Sequence, residues 1–143
     1  MCQLTRNEIV EIAIKLKKTY KTTNPFKIAK MLKIDCNFVS FNKHVVQAYI
    51  LRPYEIEEPF IFINSNFDEK SQQVFCAHEL GHAILHGNPC NHFDGNSLSN
   101  SVEHEANLFA IALLFNPQSF NINIESLNNY ALKAILDHNV SYT

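Results

Sequence analysis

Hydrophobic residues recur at helical spacing through the first third of the chain. Thr5 and Glu8 stand at capping-box spacing, in which the two side chains satisfy free backbone donors where a helix begins. Apolar residues then follow every three or four positions as far as Tyr20. Asn24 followed by Pro25 predicts a second helix, with asparagine as its N-cap and proline in its first turn.

The pattern next changes to three short segments that are typical of strands, at about residues 34–41, 45–52 and 59–64. The second segment alternates, so that Tyr49 and Ile50 belong to opposite faces. The third contains the apolar run Phe-Ile-Phe-Ile, which suits a buried or half-buried strand. The stretch from Pro53 to Pro59 is rich in glutamate and predicts an exposed turn.

Helical patterns return in the second half. A helix is predicted from about residue 68 to 86, capped by Asp68 or Asn66 and ended by Gly87. A polar loop over 88–99 leads to helices at about 101–115 and 125–138. This order predicts a single α+β domain over residues 1–143, in which a small, mostly three-stranded sheet packs against a helical majority.

Composition agrees with a folded globular domain, because 46% of the 143 residues are hydrophobic and 18% are charged. No apolar run approaches the roughly 18 residues of a membrane span, and the N-terminus lacks a secretory signal pattern. We therefore expect a cytoplasmic protein with no membrane partner. The four cysteines form no C-x-x-C pair, so reduced thiols are expected, with Cys76 as a small core residue.

Charge divides the chain into a basic helical part, residues 1–43, and an acidic part, residues 44–143. The first carries nine Lys/Arg against three Asp/Glu, and the second three against eleven. Such a basic segment usually forms solvated helix faces, and contact with DNA is the alternative. The segment around Ile28 superficially resembles part of a helix-turn-helix, but strand-like sequence follows it, which favours a helix that covers the core.

The strongest chemical motif is His78-Glu79-Leu-Gly-His82. Residues four apart on a helix stand one above the other, so two imidazoles can bind one metal ion. Glu79 is turned away from the line of the histidines and can reach a water molecule at the metal. The spacing is the H-E-x-x-H pattern of zinc metalloproteases, and we predict one catalytic Zn²⁺ per chain.

A catalytic zinc usually has three protein ligands, so one more group must follow His82. Glu103 stands at capping-box spacing from Asn100, and a helix start could account for it. Glu105 shares a face with Leu108 and Phe109, where a carboxylate is costly unless it is paired or metal-bound. Glu105 is therefore the predicted third ligand, with Glu103, Asp94 or another histidine as alternatives.

These two motifs, together with Asn24-Pro-Phe-Lys-Ile-Ala and Phe60-Ile-Phe-Ile-Asn, resemble the ImmA/IrrE family of bacterial and phage metallopeptidases over roughly residues 20–138. The resemblance implies a thermolysin-like site with His78, His82 and Glu105 as zinc ligands and Glu79 as the catalytic base. It also implies gene switching by cleavage of a helix-turn-helix repressor. The alternative function is a zinc-containing regulatory module that binds a repressor or DNA without proteolysis.

Three further questions concern residues around this motif. His86, one turn beyond His82, is interpreted as a polar helix end rather than a supporting group or a surplus ligand. The donor that stabilises the oxyanion is left open; the residues that qualify by type alone are Tyr49, His92, His104 and Tyr130. An extended substrate could bind by strand addition along residues 59–64, with the 88–99 loop as a rim.

Overall fold

The computed structural model describes residues 4–52, 58–86 and 96–142, and for 96–100 it describes the backbone alone. Most of the predicted turn at 53–59 and most of the predicted 88–99 loop lie outside these residues. The elements in chain order are α1 (Arg6–Tyr20), α2 (Pro25–Met31), β1 (Asp35–Val39), β2 (Ala48–Leu51), β3 (Phe60–Asn64), α3 (Glu69–Leu85), α4 (Asn96–Leu114) and α5 (Asn129–His138). Two short 3₁₀ turns, Pro117–Ser119 and Ile124–Ser126, connect α4 to α5.

Side-chain caps start the helices where the sequence predicts them. Thr5 accepts a hydrogen bond from the backbone of Glu8, whose carboxylate accepts one from the Thr5 backbone, which completes the capping box of α1. Asn24 caps α2 through the backbone N–H of Phe26, and Pro25 takes the first helical position. Asp68 caps α3 through the Ser71 backbone. The predicted starts of these three helices are confirmed.

The sheet has the strand order β1-β3-β2, with β3 parallel to β1 and antiparallel to β2. The three predicted strands are confirmed, although each is shorter than its apolar segment. Ile61 and Ile63 of the central strand are fully buried. Asn64 ends β3 in a buried position, where its side-chain amide donates to the carbonyls of Phe41 and Val46 and so holds both ends of the loop that connects β1 to β2.

The core lies between the sheet and the helices, with α4 at its centre. Every residue from Leu108 to Leu113 is fully buried. A helix that is apolar on all sides is surrounded by other elements, and α4 packs against α1, α3 and α5. The α+β class, with one small sheet and a helical majority, is thereby confirmed.

Two helix boundaries differ from the sequence prediction. Helix α4 begins at Asn96, five residues before the predicted start. Helix α5 begins at Asn129, because Asn128 caps it and residues 124–126 form a separate 3₁₀ turn. Cys76 is buried in the core, 4.0 Å from the Cys36 sulfur, and both are free thiols. Among the described residues, no helix is both long enough and apolar enough to span a membrane.

Candidate metal centre

His78 and His82 project from adjacent turns of α3, on one side of the helix. Their side chains are mostly buried, with 20% and 15% of their surface exposed. Both rings turn the Nε2 atom toward the neighbouring helix α4. The two histidines of the motif therefore present their nitrogens to a common space, as the sequence predicts.

Glu103 of α4 fills the third position of this cluster. One carboxylate oxygen lies 3.3 Å from His78 Nε2 and the other lies 2.8 Å from His82 Nε2. Within the described residues, His78, His82 and Glu103 form a group that could hold a metal ion, and their ligand atoms all lie within 4.8 Å of one another.

The donor set fits a zinc ion. Ligands about 2.0–2.1 Å from a tetrahedral zinc stand roughly 3.3–3.4 Å apart. The 3.3 Å between His78 Nε2 and Glu103 Oε1 matches this separation, whereas the 2.8 Å between His82 Nε2 and Glu103 Oε2 is a hydrogen-bond distance. Two imidazoles and one carboxylate also leave a fourth position open, the arrangement found in catalytic rather than structural zinc sites. The Glu103 side chain is about half exposed, so solvent reaches the cluster on the α4 side.

Glu105, the carboxylate favoured from the sequence, does not join this cluster. Its Oε1 atom lies 2.8 Å from His86 Nε2, on the far side of His82. The prediction is wrong about the geometry because α4 begins at Asn96, which places Asn100 inside the helix. Asn100 therefore does not cap the helix, and Glu103 is not explained as part of a capping box. The carboxylate on the apolar side of α4 is instead paired with a buried histidine.

The other ring nitrogen of each motif histidine is also held. His78 Nδ1 lies 2.8 Å from the side-chain oxygen of Asn107, whose amide donates to Asn129 at 2.7 Å. His82 Nδ1 lies 2.9 Å from His86 Nδ1. His86 is the C-cap of α3, so it does end the helix, but it is only 6% exposed and its ring contacts His82, which a simple polar helix end does not explain.

Glu79 lies beside the cluster without entering it. It lines a cavity together with His78. Burial raises the pKa of the Glu79 carboxyl group, and the Glu103 charge adds to this effect, whereas the two histidines oppose it. A carboxylate with a raised pKa is a better proton acceptor than an exposed glutamate.

Glu103 and His78 shift each other's protonation. Hydrogen bonds from His78 and His82 hold the pKa of Glu103 far below its usual range, so the carboxylate stays ionised. Burial alone would lower the pKa of His78, but Glu103, Glu79 and Asn107 together raise it. The Glu103 carboxylate thus places a permanent negative charge beside the position that a cation would occupy.

A cavity of about 150 Å³ adjoins His78 and Glu79. Its apolar lining residues are Ala48, Val74, Phe75, Leu136 and Val140. Lys133 and Asp137 of α5 also line it and form a salt bridge of 2.9 Å. The hydrogen bond to Asp137 is the main cause that raises the pKa of Lys133, and the Glu103 charge adds to it, so this ammonium group lies within electrostatic range of the cluster.

The candidate oxyanion donors are not gathered here. The Tyr49 ring stacks on Phe62 in the sheet, and Tyr130 is 85% exposed. Burial lowers the pKa of His104, and the charge of Arg6 in α1 lowers it further. His92 and the alternative ligand Asp94 lie outside the described residues.

The predicted substrate position along residues 59–64 is also wrong, because β3 is paired on both sides. The strand nearest the cavity is β2, whose other edge forms no strand pair within the described residues. Arg52, directly after β2, donates to the backbone carbonyls of His82 and Ala83. This contact ties the end of β2 to the last turn of α3, where the His82 carbonyl also accepts from the His86 backbone N–H.

Sequence reasoning missed Asn107 and Lys133. Asn107 stands four residues after Glu103 on α4, so a search for polar residues at helical spacing from the ligand could have found it. Lys133 offers no comparable signal, since α5 approaches the site only through the tertiary fold.

Comparison with known proteins matches residues 29–142 to a peptidase family profile described as the IrrE N-terminal-like domain. The chain is also similar to an "uncharacterized immunity region protein 2" of Bacillus phage phi105, with 37% identity over 105 residues. That match covers 70% of this chain and 63% of the phage protein, so the chain spans less than two thirds of this relative's length.

Proposed function

We propose, from the premise that this chain belongs to the IrrE N-terminal-like domain family of peptidases, that it is a zinc-dependent endopeptidase directed at a transcriptional repressor. The observation that carries the proposal is the convergence of His78, His82 and Glu103 on one space, with Glu79 beside them. Zinc bound there would supply Lewis acidity toward a scissile carbonyl and lower the pKa of bound water.

Glu79 is the general base in this proposal. Its carboxylate removes a proton from the attacking water and delivers it to the leaving nitrogen, so that the proton is conserved through the reaction. Burial supports this role because it raises the pKa of Glu79. Lys133 lines the cavity beside Glu79, and its ammonium group, paired there with Asp137, is the proposed donor to the developing oxyanion.

The substrate is an extended peptide segment. The outer edge of β2 can pair with it by main-chain hydrogen bonds, since β2 lies beside the cavity at Ala48. The apolar walls of the 150 Å³ cavity favour one apolar side chain next to the scissile bond.

The repressor as target rests on relationship rather than on a residue of the site. The phage relative is described as an immunity region protein, and the family resemblance implies cleavage of a helix-turn-helix repressor. A protein target encoded beside this chain, with a helix-turn-helix domain, is therefore the proposed substrate.

The test compares wild type with Glu79→Gln, both loaded with zinc, against the purified helix-turn-helix protein encoded next to this chain. Wild type should cleave it at a defined bond. Glu79→Gln should bind the same amount of zinc and cleave at least about 100-fold more slowly, because the general base is lost.

Glu69→Ala is the matched control, because Glu69 is an exposed glutamate of the same helix. It should cleave as wild type does. Cleavage by Glu79→Gln at the wild-type rate would exclude this mechanism. Zinc binding and repressor binding without any cleavage by wild type would favour a non-proteolytic regulatory module instead.

A further inference from the structure

His86 and Glu105 form a largely buried pair that lies outside the cluster of His78, His82 and Glu103. His86 Nδ1 lies 2.9 Å from His82 Nδ1, and His86 Nε2 lies 2.8 Å from Glu105 Oε1. The His86 side chain is 8% exposed and that of Glu105 is 21% exposed. A buried polar pair of this kind is costly unless each group is satisfied, and here each group has a partner.

When both rings are neutral, the contact between the two Nδ1 atoms permits two arrangements of protons, in which either His82 or His86 donates and the other accepts. A metal at His82 Nε2 requires that nitrogen to be free of a proton, which puts the ring proton on Nδ1. His82 then donates to His86 Nδ1. His86 must carry its own proton on Nε2, where Glu105 accepts it.

We propose that His86 and Glu105 are positioning residues that fix the ring orientation and tautomer of His82 for metal binding. The inference rests on the proposed zinc site. His86 and Glu105 would thereby hold the ring and the proton on His82 Nδ1 in place when a metal replaces the Nε2 proton that Glu103 accepts in this structure. Supporting groups of this kind typically change metal affinity by about 10- to 100-fold when removed.

The two motif histidines are held differently. His78 Nδ1 contacts the neutral Asn107 side chain, which continues to Asn129. The chain from His82 passes through a second ring and ends on the Glu105 carboxylate. His86 is not a fourth ligand in this arrangement, because it contacts the ring nitrogen that faces away from Glu103.

The first experiment measures zinc dissociation constants by competition with a chromophoric chelator. His86→Leu should weaken binding about 10- to 100-fold, because it removes the acceptor for His82. His86→Asn should recover most of the affinity, since the Asn oxygen can take the place of Nδ1. Glu105→Gln should bind better than Glu105→Leu, because only glutamine can still accept from His86.

His44→Leu is the control, because His44 is an exposed histidine outside the site, and it should bind zinc as wild type does. Equal affinity of His86→Leu and wild type would overturn the proposal. So would a complete loss of stoichiometric binding in both His86→Leu and His86→Asn, which would make His86 a ligand. If wild type itself bound no zinc, the proposed function would fail instead.

A second measurement is independent of whether any variant folds. Long-range ¹H–¹⁵N spectra of the zinc-loaded wild type report which nitrogen of each histidine carries the proton. The inference predicts the proton on Nδ1 of His82 and on Nε2 of His86. A proton on Nδ1 of His86 would contradict it.

Discussion

At the scale of single residues, each motif histidine has one nitrogen for the metal and another held by the protein. The Asn107 side-chain oxygen pairs with His78 Nδ1, and only 5% of the Asn107 surface is exposed. Its amide group has both a donor and an acceptor in use, so Asn107 is oriented by Asn129 as well. The ligand geometry therefore depends on residues that would never touch the metal.

Replacing Asn107 tests this dependence. Asn107→Leu should weaken zinc binding about 10- to 100-fold, because His78 loses the acceptor that orients its ring. Asn107→Asp keeps that acceptor and should stay within a few-fold of wild type. Isothermal titration of the metal-free proteins with zinc measures both. Equal weakening by Leu and Asp would show that packing around Asn107, rather than the hydrogen bond, determines affinity.

At the scale of elements, the site depends on the close approach of α3, which carries the histidines, to α4, which carries Glu103. Gly81, between the two histidine turns, permits this approach. A Cβ atom at that position would lie 3.1 Å from the Phe109 ring and 3.2 Å from the backbone of Ala106. The backbone contact cannot be relieved by a side-chain rotation, so an alanine would push the helices apart.

Gly81→Ala should therefore lower both stability and zinc affinity. Overpacking costs about 1–3 kcal/mol, which exceeds the helix-propensity gain of at most about 1 kcal/mol. We expect a net loss of about 1 kcal/mol in the free energy of unfolding, from the difference between those terms. Urea unfolding of the metal-free protein measures it.

Lys70→Ala is the control for Gly81→Ala, since Lys70 is exposed on the same helix and should leave both properties unchanged. A gain in stability for Gly81→Ala, at unchanged zinc affinity, would mean that α3 and α4 tolerate the methyl group without separating.

At the scale of the whole molecule, local sequence signals predict most of the helices and strands but fewer of the tertiary contacts between them. Caps at Thr5, Asn24 and Asp68 and the buried run before Asn64 determine where helices and a strand lie. The motif histidines follow from helical spacing alone. These features could be predicted because their physical causes lie within a few residues of one another.

The third member of the cluster could not be predicted in the same way. To choose between Glu103 and Glu105, one must know where α4 begins and how it is rotated about its axis relative to α3. Tertiary packing determines both. The apolar side of α4 correctly indicated that Glu105 needs a partner, but His86 is that partner. The approach of Lys133 on α5 likewise depends on the folded chain.

The zinc affinity of Glu103→Ala compared with Glu105→Ala tests the central claim most directly, with Glu69→Ala as the exposed control. If Glu103 is a ligand and Glu105 a supporting residue, Glu103→Ala should lose more than about 100-fold and Glu105→Ala about 10-fold. Glu69→Ala should match wild type. The reverse order, with Glu105→Ala losing the metal and Glu103→Ala retaining it, would contradict the account.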